Sequence, residues 1–125
     1  MANTYTLISS NTLSSSAASI TFSSIPATYT DLVLRWSVNT SSLQDGGIYF
    51  NGTLGTTNYS RTFLAGNGAT ASSSRNSNRE IIDLDYLASA TANTFASGEM
   101  YLPNYAGSAN KPLSTIISLV ISRTD

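Results

Sequence analysis

A chain of 125 residues with 41% hydrophobic and 10% charged residues, a net charge of −1, no cysteine and no histidine has room for one core and little equipment for proton, thiolate or zinc chemistry. Serine, threonine and asparagine number 22, 16 and 11 against one lysine and five arginines, so hydroxyls and amides must make up the polar surface. The charge balance gives no footprint for nucleic acid, and the apolar content argues against disorder.

A single domain over residues 1–125 is therefore expected. The start, Met1-Ala2-Asn3-Thr4-Tyr5, lacks the basic and apolar regions of a signal peptide, and the strongest apolar run, 116–121, is broken by Ser118. These features predict a soluble chain made in a cytoplasm, with no membrane partner and no classical export.

The dominant periodicity is two, the mark of half-buried strands. Ala18, Ile20 and Phe22 alternate with Ser19, Thr21 and Ser23, predicting a first strand that ends at the Ile25-Pro26-Ala27 bend, since proline donates nothing to a ladder. Over 31–40, Leu32, Leu34, Trp36 and Val38 share one face and Val33, Arg35, Ser37 and Asn39 the other, which predicts a second strand with Trp36 in the core. Ile48 and Phe50 flank Tyr49 and lead into Asn51-Gly52, a dipeptide suited to tight hairpins because both positions tolerate positive φ. The return strand is expected over 58–65, closed by Gly66-Asn67-Gly68.

Residues 69–78 are rich in Ser, Ala and Asn with no apolar anchor, and predict an exposed, mobile loop. Three strands follow, over 80–87 with Ile82, Leu84 and Tyr86 on one face, over 94–102 and over 113–123. In the last, Leu113, Thr115, Ile117, Leu119 and Ile121 form one face while Ile116 and Val120 make the other apolar too, so burial on both sides is expected. Only 87–96 is alanine-rich enough for a short helical turn. About eight short strands separated by turns predict an all-β fold, an antiparallel β-sandwich of jelly-roll type.

Natural sheets blunt their edges with lysine or other charges, and this chain has few to place there. Neighbouring subunits covering the edges would solve the problem; a monomer protected by proline, bulges and loops is the alternative. Leu119, Val120 and Ile121 are the candidate core or subunit contacts, with Arg75 and Arg79 as further contact candidates and the 69–78 loop facing a partner or solvent.

Catalytic candidates are thin. An activated serine needs histidine or a lysine of depressed pKa, and Lys111 precedes Pro112 in a loop-like stretch. Asp83 and Asp85 lie two apart on a predicted strand, about 7 Å along it, and Glu80 and Glu99 complete the acidic set. Paired carboxylates or a calcium site would use them, whereas the solvent face of a strand explains them without either. No enzyme, cofactor or metal site is expected. Tyr49, Tyr59, Tyr101 and Tyr105 sit near turns or on the polar face and suit a carbohydrate site, although tyrosines of a sandwich also pack their rings and tie off their hydroxyls. The three N-x-S/T sequons at Asn39, Asn51 and Asn58 are what this composition yields by chance, and no glycan is inferred from them.

Two stretches, ITFSSIPATYTDLVLR over 20–35 and IYFNGTLGTTNYSRTFLAGNG over 48–68, resemble a family of small tailed-bacteriophage virion proteins. The resemblance covers about half the chain and rests on a strand, Ile-Pro bend, strand unit and on the Phe50-Asn51-Gly52 hairpin. It implies a β-sandwich that assembles as a trimer, in capsid decoration or in a head or tail fibre. The implied partners are further copies of the chain and the major capsid protein or other virion proteins, in particles assembled in the host cytoplasm. Chains of this type commonly continue past the SLVISR-like strand, whereas this one stops at Asp125, so either a β-element is missing or a neighbour completes the sandwich. The resemblance brings no catalytic residues. Capsid decoration by an oligomer is the leading expectation and recognition of host-surface carbohydrate by a fibre domain the alternative.

Overall fold

The computed structural model describes residues 5–39, 46–52, 57–66, 69–80, 82–84 and 95–119, with the backbone alone for 82–84, 118 and 119. The described residues hold strands and turns and no helix. The strands are β1 (Leu32–Val38), β2 (Gly46–Ile48), β3 (Tyr59–Gly66), β4 (Ala71–Arg79), β5 (Ile82–Leu84), β6 (Ala96–Leu102) and β7 (Ser114–Leu119). All pairings are antiparallel, in a three-stranded sheet of order β1-β6-β7 and two-stranded ladders β2-β5 and β3-β4.

The three-stranded sheet follows directly from the period-two pattern. Leu34, Met100 and Thr115 lie side by side across it, as do Trp36, Gly98 and Ile117, so the predicted apolar face of β1 is extended by its neighbours. Ala96, Met100 and Leu102 are the buried side chains among the described residues, and all three fall on this face of the central strand. A central strand gains cover from both neighbours, which is why burial concentrates in β6 rather than in the edge strands. The expected burial of the second face of β7 is not found at Ile116, which is 70% exposed; Val120 lies outside the described residues.

Further expectations are overturned. The alternating segment at 18–22 forms no strand; residues 5–31 carry no ladder, and every one of them is exposed. Its pattern is that of a strand, but no described strand pairs with it. The turn after Pro26 is present, at Ala27 and Thr28, and Ser24 before it is left-handed with φ 56°. Of residues 69–78, expected as a loop, 71–78 belong instead to β4, which pairs with β3 from Gly66↔Ala71 to Tyr59↔Arg79. The side chains of β4 are exposed except that of Asn76, half-buried. With serines on both faces there is no apolar alternation to read, while the backbone pairs as well as any other. Between Tyr59 and Arg61 the register shifts, and Asn78, left-handed with φ 54°, takes up the extra length of a bulge.

The Asn51-Gly52 turn forms as expected, with φ 53° and 69° at its two centres. The strands flanking it are not joined to each other, however: β2 pairs with β5 and β3 with β4. Phe50 N–H donates to the Tyr59 hydroxyl at 2.9 Å, and this bond rather than a ladder ties the turn to β3. The helical turn expected over 87–96 lies, but for Phe95 and Ala96, outside the described residues.

Candidate functional site

The outer face of the β1-β6-β7 sheet carries two linked groups of side chains. Arg35 and Glu99 are direct cross-strand partners, with Ile116 completing the row on β7. Arg35 Nε donates to Glu99 Oε2 at 2.7 Å, with the two side chains 65% and 46% exposed. The guanidinium also lies 5.5 Å from the centre of the Tyr5 ring, an exposed cation–π contact. The hydrogen bond and then the charge of Glu99 raise the Arg35 pKa, which secures the positive charge on the guanidinium. One row along, Ser97 and Ser37 hydroxyls meet at 3.4 Å.

An open depression of about 470 Å³ is lined by Arg35, Trp36, Ser97, Gly98, Glu99 and Ile116. Gly98 gives the Trp36 indole its room. A Cβ at this position would stand 2.3 Å from Trp36 Cζ2 and 2.5 Å from Cε2, so the indole lies directly on the glycine. Trp36 is half-buried and its Nε1 is enclosed without a hydrogen-bond partner. The depression thus combines apolar contact with one ion pair and the Ser97 hydroxyl, a set that offers adhesion and hydrogen bonding.

The second group gathers where β6 leaves the sheet. Asp31 Oδ1 accepts from the Asn104 amide at 2.8 Å and Oδ2 from the Tyr101 hydroxyl at 2.7 Å. The amide bond chiefly, with the phenol second, holds the Asp31 carboxyl below its ordinary value, and the same contact raises the Tyr101 phenol. The Tyr105 hydroxyl donates to the Pro26 carbonyl. Lys111, expected in a loop, donates to the carbonyls of Gly107 and, at 2.7 Å, of Ala109, so its ammonium closes the 103–113 turn.

The candidate carbohydrate tyrosines therefore divide between two places. Tyr49 and Tyr59 stand at the Asn51-Gly52 turn, and Tyr101 and Tyr105 at the far end of β6. The Tyr59, Tyr101 and Tyr105 hydroxyls are engaged within the chain, while the Tyr49 and Tyr101 residues are 44% and 41% exposed. Arg75 and Arg79 are brought onto one exposed strand, opposite Thr62 and Tyr59. Leu119 ends β7 opposite Ala96; Val120 and Ile121 lie outside the described residues. Asp83 pairs with Gly47, Asp85 lies outside, and no group of three metal-binding side chains occurs among the described residues.

Sequence reasoning passed over Asp31, Asn104 and Gly98. An aspartate directly before a strand and an asparagine after proline in a turn are signals for the first two. Gly98 has no local signal, because what it accommodates comes from a distant strand. No protein-family model, curated protein or solved structure matches the chain.

Proposed function

We propose that the chain is a structural protein of a tailed-bacteriophage virion, a capsid decoration protein that binds the head surface as a trimer and stabilises it. In this reading its antiparallel strands close with those of neighbours into a sandwich of jelly-roll type, and its work is binding rather than catalysis. The observation that carries it is the balance of burial. Among the described residues three apolar side chains are buried, while thirteen large ones, from Tyr5 to Ile116, remain exposed on a surface with few charges. Eight of the thirteen fall between Tyr5 and Tyr29, and exposed apolar area gathered in one segment supports an interaction surface. The virion context comes from the resemblance at 20–35 and 48–68. A protein that binds only the assembled shell stabilises it by mass action.

Electrophoresis of purified particles tests the proposal: hundreds of copies per particle are expected, and a handful would refute decoration. One observation favours the fibre reading as a second. The exposed Tyr101 ring is held by its bond to Asp31, which presents a preset aromatic face to a sugar. Binding to a glycan array, lost in Tyr101→Ala, would put that reading first.

A further inference from the structure

Among the described residues, the N-terminal segment holds most of the exposed large apolar side chains. Tyr5, Leu7, Ile8, Leu13, Ile20, Phe22, Ile25 and Tyr29 are between 37% and 79% exposed. Residues 5–30 contain no charged side chain, and none of them belongs to a strand. The segment is nevertheless held at its two ends. Tyr5 lies against Arg35, and the other end is fixed by the bonds from Tyr105 to Pro26 and from Tyr101 and Asn104 to Asp31. Between these tethers, Ala18, Ile20 and Phe22 keep the alternation of a strand that has lost its ladder.

We infer that residues 5–30 are an exchange arm, laid against a second copy of the chain, where the alternating stretch joins an open strand edge. The inference rests on the oligomeric part of the reading above. Three observations select a copy of the chain as the occupant. At about 200 Å² for each large residue, the observed fractions leave roughly 800 Å² of accessible surface on the eight apolar residues of the arm, the share that one partner contributes to a standard interface. The arm has no charge to pair with a charged partner. The fold itself supplies what the arm needs, since among the described residues β1 and β7 are the edge strands of their sheet and Ile116 on β7 is exposed. An interface in which each copy gives an arm and receives one closes on itself, as symmetric assemblies do.

The chain has no cysteine, so Phe22→Cys gives one site for a benzophenone maleimide. Isotopically light and heavy chains are mixed in equal amounts, unfolded, refolded together and irradiated. Light scattering should show an oligomer, and mass spectrometry should show cross-links joining light to heavy chains. An oligomer whose cross-links stay within single chains would overturn arm exchange and leave the oligomeric reading standing; a monomer would overturn both. In parallel, Ile20→Asp with Phe22→Asp should weaken association at least about tenfold with the circular dichroism unchanged. Unchanged association would count against the arm.

Discussion

The contact between Trp36 and Gly98 allows the sharpest test of the packing. In Gly98→Ala the new methyl would lie 2.3 Å and 2.5 Å from two indole carbons and 3.0 Å from the Ile116 carbonyl oxygen. Carbon atoms approach to about 3.5 Å at best, so the indole must retreat by roughly 1 Å. It lies over Gly98 of the central strand, whose same-face neighbours Met100 and Ala96 are buried, so such a shift propagates. Overpacking of this kind costs about 1–3 kcal/mol. The lower chain entropy of alanine in the unfolded state offsets about 0.4–1 kcal/mol. The net expectation is a loss of about 1–2 kcal/mol, or about 4–8 °C in Tm for a chain of this size. Trp36 is the single tryptophan, so thermal unfolding followed by its fluorescence reads the site itself, and its emission should shift to the red as the ring is displaced. The cause is isolated by repeating the substitution in a Trp36→Leu background, monitored by circular dichroism. Most of the penalty should vanish there, leaving the smaller strain against the Ile116 carbonyl. A Gly98→Ala protein within 1 °C of the parent, or a penalty equal in both backgrounds, would refute the contact.

The Asp31 cluster predicts pH limits on the tether at both extremes. A carboxyl held below its ordinary value contributes stability that is complete above about pH 4 and is lost as pH falls through the depressed value. The Tyr101 phenol, raised by the same contact, contributes stability that is complete below about pH 10 and is lost as pH rises through its folded value. The Asn104 amide resonance should therefore move with an acidic midpoint below that of a free aspartate, and Asp31→Asn should abolish the movement; a midpoint at or above the ordinary value contradicts the bonding. For β4, hydrogen exchange should show slowed amides at every second residue of Ala71–Arg79, those facing β3. Uniformly fast exchange across this segment would return it to a loop.

What the sequence disclosed depended on whether side chains betray their surroundings. Leu32, Leu34, Trp36 and Val38 announce β1 because one face meets apolar neighbours and the other water, and β3, β6 and β7 are legible for the same reason. The β4 segment ASSSRNSNR has nothing to alternate, so its pairing, which is a backbone matter, left no trace. The Ala18-Ile20-Phe22 segment errs in the other direction, since its pattern is present while its ladder is not. Asn51-Gly52 specified the local φ values correctly; which strands then pair is decided by contacts beyond the turn. Of the candidate site, the polarity of Arg35, Glu99 and the tyrosines was legible. Their grouping depends on the register of strands far apart in sequence, and no local pattern encodes it.

The scarcity of charge connects these observations. An edge such as β4 is normally guarded by lysine, because desolvating an ammonium opposes unwanted pairing strongly, whereas a serine hydroxyl gives up water at a far smaller cost and regains a hydrogen bond in doing so. The two arginines of β4 are the charges it has, and residues 5–30 have none. Of the charged residues near the arm, Asp31 and Arg35 are occupied in holding its ends, by Asn104 and Tyr101 in the first case and by Glu99 and Tyr5 in the second. Charge is thus spent on fixing where the arm begins and ends, and the surfaces between are left inexpensive to dehydrate. Adding lysine along the arm would therefore harm assembly more than folding, the opposite of what a substitution on the face of Met100 would do.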